Sequence, residues 1–434
     1  MTSTTRIFDL ERFNQSGGAP LYGLVKRLVR NAVTAGELRD GDQIPSERDV
    51  AEALHISRVT VRKAFSDLVA DGVLVQRRGS GTYVNAPMKR IEHTRTGAKG
   101  MSHMASEAAE APDAVARFLT HNAPALADLG HRLRQAPPPV VLTSARGSSG
   151  NAAGYFKYLT EILLGVPCAS IGASVVSVYG SALKAKGAVC LTISQSGQSP
   201  DIVGLQEEAK RAGALTVALV NVAGSPAAIS ADICLPLQAG AELSVAATKS
   251  FIVSCVAGAA ITAHWLNRPA LLDAVQRLPE TLAQATRIEW PEFTDFAGEA
   301  TSLYVLGRGP SLPIAAETAL KLKETCGIHA EAYSVAEVMH GPWELMRDGF
   351  PVLAYAPDDA AFSLTQVAVA KMRGAGAKVL LAGSDGLSVA ASGEPLLDPV
   401  SMILTAYLAI EKLAKAMGRD PDRPRLLKKV TETT

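Results

Sequence analysis

Two serine-rich turns contain side chains that could bind a small ligand. Residues 194–199 (SQSGQS) follow the apolar run AVCLTI and precede a helical pattern, and residues 147–149 follow an earlier apolar run in the same way. Free N–H groups at a helix start, together with hydroxyl and amide side chains, form an anion site that suits a phosphate. A single serine at such a junction is more often a helix cap. Two such turns at strand ends of one sheet predict a ligand crevice.

A charged helix face indicates acid–base chemistry. Glu317, Lys321 and Glu324 lie at positions i, i+4 and i+7 and therefore share one face of a predicted helix. On a surface, such a stripe is an ordinary set of salt bridges. Here the helix follows the strand-like run SLYVLG, and the stretch ends at His340. A carboxylate, a cation and a histidine that converge near a phosphate site can move protons on a sugar.

A repeated α/β pattern is expected to position these groups. From about residue 113, apolar strand-like runs alternate with amphipathic helical patterns, which predicts βαβ units and parallel sheets. Residues 140–165 and 302–327 each contain a strand, an R-G-x-S turn and a helix, so that Arg146 corresponds to Arg308. A duplicated α/β unit explains this repeat.

The N-terminal part of the chain has a different pattern. Residues 1–90 contain 14 Lys and Arg against 10 Asp and Glu, although the net charge of the whole chain is only +1. Ser46 can cap one short helix and Ser57 a second, which Gly72 would end. The second helix has basic residues on its early turns, and the run VLVQRRGSGTYV around Arg77 suits a β-hairpin. This arrangement is typical of a helix-turn-helix with a wing.

Several protein classes are disfavoured. The five cysteines lack CxxC spacing, which predicts buried free thiols in a reducing cytosol. The eight histidines show no ligand pattern, so we predict no metal site. The N terminus does not resemble a signal peptide. The longest apolar stretch, around residues 251–265, is interrupted by polar residues and is too short to span a bilayer, which predicts a cytoplasmic protein with no membrane association.

The segment IPSERDVAEALHISRVTVRKAFSDLVADGVLVQRRGSGTYV resembles the GntR-type winged helix over about residues 20–86. The resemblance implies operator DNA as a partner. With the wing arginine included, the candidate DNA contacts are Arg48, Arg58, Thr60, Arg62, Arg77 and Gly81.

The rest of the chain, about residues 115–434, resembles the sugar isomerase (SIS) family in both halves. The motifs ARGSS, SQSGQSPD, AELSVAATKSF, ALKLKE, IHAEAYSVAEVMHGP and PDRPRLLKKVTET occur in the order of that family. Within that family the chain resembles the isomerase half of glucosamine-6-phosphate synthase and the SIS-type glucosamine-6-phosphate deaminases. The implied α/β fold is two tandem SIS domains, each a three-layer αβα sandwich with a parallel sheet, after an N-terminal winged-helix domain.

The resemblance also implies residue roles. Glu324 would carry a proton between C1 and C2, and His340, supplied by a neighbouring subunit, would assist ring opening. Lys321 and a tail lysine, Lys429 or else Lys428, would stabilise the enediol-like charge or the amine. No cofactor is needed, because a base and fixed donors suffice. The implied substrate-binding residues are Ser148, Ser149, Ser194, Gln195, Ser196, Ser199, Val245, Ala247 and Glu317.

Two departures from the synthase pattern favour release of ammonia over glutamine-dependent synthesis. Ala247 replaces the serine of the V-A-S-T-K motif, and Thr2 stands where the glutaminase domain would have its cysteine. We predict a transcription regulator that is also an enzyme, converting glucosamine 6-phosphate to fructose 6-phosphate and ammonia. One alternative is a non-catalytic SIS sensor of an amino-sugar phosphate that controls operator binding. Another is an isomerase or deaminase of a related sugar phosphate.

The expected domain boundaries follow from these patterns. We expect the winged helix at 1–86, a linker at 87–112, SIS domains at 113–280 and 281–420, and a tail at 421–434 that closes the active site. A homodimer or higher homo-oligomer is expected, because winged helices of this type read two half-sites and the resembled enzymes share a histidine between subunits.

Overall fold

The computed structural model describes residues 21–34, 38, 41–70, 73–77, 81–84, 101–427 and 429 of the chain. It divides into two compact units, Met1–Lys99 and Gly100–Thr434.

The first unit is a winged helix, as predicted. Ser46 is the N-cap of the helix Glu47–Ala53, and its Oγ accepts a hydrogen bond from Asp49 N. Ser57 Oγ accepts one from Thr60 N at the start of the helix Arg58–Ala70. The predicted end of this second helix at Gly72 lies outside the described residues. The strands form an antiparallel sheet in the order β1-β3-β2. The elements are α1 Leu21–Thr34, β1 Gln43–Ile44, α2 Glu47–Ala53, α3 Arg58–Ala70, β2 Leu74–Arg77 and β3 Gly81–Val84.

The second unit begins with two helices and a five-stranded sheet. All strand pairs of this sheet are parallel, in the order β5-β4-β6-β7-β8. The elements are α4 His103–Ala109, α5 Ala111–Gln135, β4 Val141–Ser144, α6 Gly147–Leu164, β5 Cys168–Ser170, α7 Ser174–Ser177, β6 Val189–Ser194, α8 Pro200–Arg211, β7 Leu215–Val220, α9 Pro226–Ser230, β8 Ile233–Pro236 and α10 Lys249–Leu266.

The second half of this unit repeats the arrangement around a four-stranded parallel sheet, in the order β10-β9-β11-β12. Helix α13 continues into a π-helical turn, Leu322–Cys326, and short 3₁₀ turns occupy Glu337–Met339 and Gly341–Leu345. The elements are α11 Pro269–Ala285, α12 Pro291–Ala297, β9 Ser302–Gly307, α13 Ser311–Lys321, β10 His329–Ser334, β11 Pro351–Ala356, α14 Phe362–Gly374, β12 Lys378–Gly383 and α15 Asp398–Ala416.

Alternate residues of the central strands pack on opposite faces of each sheet. In β6, Leu191 belongs to the large central cluster and Cys190 to a smaller cluster on the other face. In β9, Val305 lies in the same central cluster, whereas Leu306 lies in a second outer cluster. Both sheets are therefore covered on both faces, as the three-layer prediction requires, and their inner faces share one hydrophobic core.

Helix α10 is long and apolar enough to cross a membrane by length and composition, which corrects the expectation that this stretch is too short. Of its 18 residues, 89% are buried within the protein. Burial on all sides is typical of a central helix in a large core.

The predicted linker at 87–112 is wrong in its last part. Residues 103–109 form α4, with Ser102 as its N-cap and with Met104 and Ala108 buried. Small alanine side chains give a weak hydrophobic pattern, but they allow a helix to pack closely. The expectation for residues 87–100 lies outside the described residues.

Candidate functional site

The three charged residues of the predicted helix face are joined by ion pairs. Lys321 Nζ lies 3.5 Å from Glu317 Oε1 and is bonded to Glu324 Oε2. Glu317 and Lys321 belong to α13, whereas Glu324 lies on the π-helical turn that follows it. Single π-turns within helices are frequent at functional sites. The structure thus brings the three groups together, although not on one continuous α-helix.

Exposure differs sharply among these groups. The side chains of Glu317 and Lys321 are 0% and 1% exposed, but that of Glu324 is 21% exposed. Burial lowers the pKa of Lys321, but the attraction of Glu317 and Glu324 outweighs burial and leaves this pKa above its usual value. Lys321 is therefore a fixed cation at neutral pH. Of the two carboxylates, Glu324 is the one that a ligand can reach.

Glu317 connects the two halves of the second unit. Its carboxylate accepts hydrogen bonds from Ser148 Oγ (2.9 Å) and Asn151 Nδ2 (2.8 Å) of α6, and from the Tyr407 hydroxyl (3.0 Å) of α15. A fully buried carboxylate with these donors has no surface for the predicted substrate contact. Glu317 instead positions Ser148 and Lys321.

Sequence reasoning missed Asn151 and Tyr407. Asn151 lies three residues after Ser148, and helical spacing alone places both on one face of α6. Tyr407 is far from Glu317 in the sequence, and its role follows from the packing of α15 against α13.

The two serine-rich turns lie at the same edge of the first sheet. Strands β4 and β6 are adjacent and parallel, and residues 147–149 and 195–199 follow their carboxyl ends. This is the predicted crevice position. Ser148 and Ser149, both half-buried, lie in the first turn of α6.

Within residues 194–199, side chains shape the turn that precedes α8. Ser194 Oγ accepts a hydrogen bond from Gly197 N (3.0 Å), and Ser196 Oγ accepts one from Gln198 N (3.3 Å). The half-buried Gln195 accepts a bond from Asn221 N through its backbone carbonyl. Ser199 is the N-cap residue of α8, but its hydroxyl makes no capping bond. That hydroxyl and the N terminus of α8 are available to an anion.

The tail lysine is held by the loop of residues 242–247. Lys429 Nζ donates to Ser244 O (2.6 Å) and lies 3.3 Å from Glu242 Oε2. Lys428, the other candidate, lies outside the described residues. The half-buried Val245 and Ala247 belong to the same loop.

Glu242 is a further residue that the sequence analysis missed. Its buried carboxylate also accepts hydrogen bonds from Thr248 N (3.0 Å) and Ser250 N (3.1 Å) and from the Ser250 hydroxyl (2.7 Å). It lies within the AELSVAATKSF motif, which was the available signal.

His340 stands apart from this network. It lies between the two 3₁₀ turns after β10, and its side chain is exposed. No hydrogen bond or ion pair joins its ring to any residue that the structure describes. The expectation that His340 acts in a neighbouring subunit stays a prediction.

The candidate DNA contacts lie mostly at exposed positions of the first unit. Arg48 and Arg62 are 68% and 64% exposed, and Arg62 Nε pairs with Glu47 at 3.0 Å. Arg58 is exposed, whereas Thr60 is half-buried, with its Oγ1 2.7 Å from Ser57 Oγ. Gly81, which begins β3, is exposed and has φ +120°. The Arg77 side chain lies outside the described residues.

Val59 was missed, although it is 74% exposed beside Arg58 on α3. Sequence reasoning concentrated on charged and hydroxyl side chains. An exposed apolar side chain on a recognition helix is suited to contact a thymine methyl group.

Comparison with known proteins agrees with this division of the chain. Residues 21–84 match the family of bacterial regulatory proteins called gntR, and residues 136–263 and 298–392 match the SIS domain. A glutamine–fructose-6-phosphate aminotransferase (isomerizing) of Methanothermobacter thermautotrophicus is 31% identical over 86% of this chain. The chain spans 65% of the length of that relative.

Solved structures show the same fold for the second unit. A protein described as a phosphosugar isomerase, from Silicibacter pomeroyi DSS-3, is 45% identical with a TM-score of 0.71, over 74% of this chain and 100% of that one. Glucosamine-6-phosphate deaminase of Thermotoga maritima is 20% identical with a TM-score of 0.63, over 76% and 100%.

Proposed function

Because this chain belongs to the SIS domain family and carries a DNA-binding unit of the gntR family of bacterial regulators, we propose that it is a regulator that also turns over an amino-sugar phosphate. The proposed reaction is glucosamine 6-phosphate plus water to fructose 6-phosphate plus ammonia. Operator binding would place this chemistry in the cytoplasm. The AAT sequence at residues 246–248 and the KVTET tail favour ammonia release over synthesis.

The observation that carries the proposal is the ion pair of Lys321 with Glu324. A buried lysine holds a partly exposed carboxylate on a π-helical turn, beside a serine-rich turn suited to phosphate. A general base and a fixed cation are the two groups that proton transfer between neighbouring sugar carbons requires.

The chemical steps follow from these groups. After ring opening, which His340 assists, the Glu324 carboxylate takes the proton from C2, and the electron pair moves through C1 to its carbonyl oxygen. Lys321 stabilises the negative charge on that oxygen, which then takes up a proton from the substrate's own ammonium group at C2. Glu324 returns its proton to C1, which leaves an imine at C2. Water adds to C2, the C–N bond breaks, and ammonia departs to give the ketone.

Substrate binding would use the edge of the first sheet. The N termini of α6 and α8, with Ser148, Ser149 and the hydroxyls and amide of residues 194–199, would bind the phosphate. Lys429 would lie near the amine or the enediol charge, with Val245 and Ala247 beside it. These groups and a base suffice without a cofactor.

The substitution Glu324→Gln tests the enzyme. It removes the base but keeps side-chain shape, so we expect ammonia release from glucosamine 6-phosphate to fall by about 10²–10⁴-fold. Glu289→Gln is the matched control, because Glu289 is 69% exposed and, among the residues that the structure describes, pairs only with Lys412. We expect this control to keep normal turnover. Ammonia release that is equal in the original chain and in Glu324→Gln would contradict the assignment of the base.

A non-catalytic sensor is the second candidate, and the gntR-family unit is the observation that favours it. Calorimetry separates the two: glucosamine 6-phosphate that binds without any turnover by the original chain would establish the sensor.

A third possibility is an enzyme that acts on a related sugar phosphate. Parallel assays on galactosamine 6-phosphate and on a fructosyl-amine phosphate test it. Discrimination by one hydroxyl depends on whether a buried polar partner is left unpaired.

A further inference from the structure

An arginine–carboxylate pair joins the starts of the two helices that follow strands β4 and β6. Arg146 is the N-cap residue of α6, and Asp201 lies in the first turn of α8. Arg146 Nη1 lies 2.9 Å from Asp201 Oδ2, and Arg146 Nη2 donates to Asp201 Oδ1 at 3.0 Å. Two parallel contacts between a guanidinium and a carboxylate fix both the distance and the orientation of the groups that carry them.

Neither helix start is closed by its own cap residue. An arginine side chain has no acceptor, so Arg146 cannot bond to the first N–H groups of α6, and Ser199 makes no capping bond to α8. Both helix starts therefore keep N–H groups for an anion. The Arg146 side chain reaches across to α8 instead.

A second hydrogen bond connects the same two segments. Ser144, the last residue of β4, donates from Oγ to Ile202 O (3.4 Å), and both residues are buried. The side chains of Arg146 and Asp201 are more accessible, at 41% and 17% exposed. A pair this exposed adds little to global stability. The buried bond therefore holds the fold, while the arginine–carboxylate pair sets the spacing of the two helix starts.

The second half of the unit offers an internal comparison. Arg308 corresponds to Arg146 in the repeated R-G-x-S segment, and Gly309 has φ +60° where Gly147 has φ +54°. The half-buried Arg308 makes no side-chain hydrogen bond or ion pair with any residue that the structure describes. The adjacent strand β11 is followed by residues 357–359 (PDD), not by a serine-rich turn. Among the described residues, the pair thus accompanies the serine-rich turns and is not a general requirement of the repeated fold.

We infer that Arg146 and Asp201 are positioning residues for phosphate binding. Their ion pair holds the starts of α6 and α8 at the separation at which the N–H groups and hydroxyls of both turns reach one phosphate. Arg146 also compensates the Asp201 carboxylate, whose negative charge would otherwise repel the phosphate. This inference rests on the phosphate-binding part of the proposed function, since it concerns the same turns.

The sign of one substitution separates this role from simple electrostatics. Asp201→Asn removes a negative charge beside the phosphate site and releases Arg146, so charge alone predicts tighter binding of phosphate. Positioning predicts weaker binding, because the bidentate pair is lost and the two helix starts are no longer fixed. Arg146→Gln weakens binding under both explanations and is needed for comparison with the double variant.

The test is calorimetric binding of inorganic phosphate, and of glucosamine 6-phosphate in the full chain carrying Glu324→Gln so that the sugar is not consumed. We expect Asp201→Asn and Arg146→Gln each to raise both Kd values by about 10-fold. The double variant should match the larger single effect, because both substitutions remove the same interaction. In the chain that retains Glu324, the KM for glucosamine 6-phosphate should rise while kcat stays nearly unchanged, because the phosphate contacts act equally on substrate and transition state.

Arg268→Gln and Glu394→Gln are the matched controls. They break an arginine–carboxylate pair of similar exposure, 44% and 22%, with an Nη2–Oε2 distance of 3.0 Å. Arg268 is likewise the N-cap residue of a helix, α11, and neither residue belongs to a serine-rich turn. We expect both controls to keep the Kd for phosphate and the KM of the unsubstituted chain. All four single variants should keep a nearly normal Tm.

Three results would overturn the inference: Asp201→Asn that binds phosphate as tightly as the unsubstituted chain or more tightly, single effects that multiply in the double variant, or equal effects in the controls. A chain that binds phosphate as expected but does not convert glucosamine 6-phosphate would contradict the proposed reaction and leave the inference intact. A chain that binds neither inorganic phosphate nor glucosamine 6-phosphate would overturn both.

Discussion

At the scale of single residues, the candidate site depends on a carboxylate that is buried away from solvent. Glu317 is fully buried and receives hydrogen bonds from Ser148, Asn151 and Tyr407 while it pairs with Lys321. All of these partners are donors, so the position demands an acceptor with a negative charge. A buried ion pair of this kind is costly to break from one side, because the remaining charge loses its partner.

We therefore expect Glu317→Gln to destabilise the protein by about 3 kcal/mol, measured as the free energy of unfolding in urea. The amide would point a donor at other donors and leave Lys321 with Glu324 alone. Glu394→Gln is the control, because its partner Arg268 is 44% exposed and such pairs contribute about 0–1 kcal/mol. Equal effects of the two substitutions would show that the buried network carries no special stability.

At the scale of elements, the turn before α8 requires glycine at one position. Gly197 has φ +62°, a left-handed conformation that L-residues rarely adopt. A Cβ atom there would lie 2.7 Å from Ser225 Cβ and closer still to Ser225 Oγ. Only glycine at residue 197 therefore allows this turn to hold α8, and the free N–H groups at its N terminus, in the observed position.

Gly197→Ala should raise the KM for glucosamine 6-phosphate and lower stability by at least about 1–2 kcal/mol. Gly204→Ala in the middle of α8 is the control, since no atom lies within 4 Å of the added methyl group. That change should stabilise the helix by up to about 1 kcal/mol. A normal KM in Gly197→Ala would argue against this turn as the phosphate site.

At the scale of the whole molecule, the proposed catalytic groups come from both halves of the second unit. Ser148 lies on α6, after strand β4 of the first sheet. Glu324 lies on the π-helical turn after α13, in the half that contains the second sheet, and Lys429 lies in the C-terminal tail. The shared hydrophobic core fixes the two halves against each other. His340, whose ring makes no hydrogen bond or ion pair with any described residue, is the group that the proposed dimer would add to this site.

Mixed subunits test that proposal. If His340 completes the site of a neighbour, equal amounts of Glu324→Gln and His340→Ala subunits, refolded or co-expressed together, should regain about a quarter of normal ammonia release, because half of the dimers contain one intact site. Each variant alone should be nearly inactive. Mixtures that remain as inactive as the separate variants would place His340 in its own subunit's site, and normal activity of His340→Ala alone would place it outside the chemistry.

Local patterns in the sequence were sufficient for most of the elements and for several candidate site residues. The caps Ser46 and Ser57 were predictable because they bond to amides three residues away. The turns at residues 147–149 and 194–199 were predictable because parallel strands bring their carboxyl ends to one edge. The pairing of Lys321 with Glu324 was also predictable, because the two residues are only three positions apart in the sequence.

Only the tertiary structure decided the roles that depend on distant partners. Glu317 became a buried positioning residue because Tyr407, on the last helix, packs over it. Helix α4 was mistaken for linker because its stability comes from Asp422, far along the chain, rather than from its own alanine-rich pattern. Lys429 was fixed by Glu242 and Ser244. Such contacts form only when the shared core folds, so no local periodicity contains them.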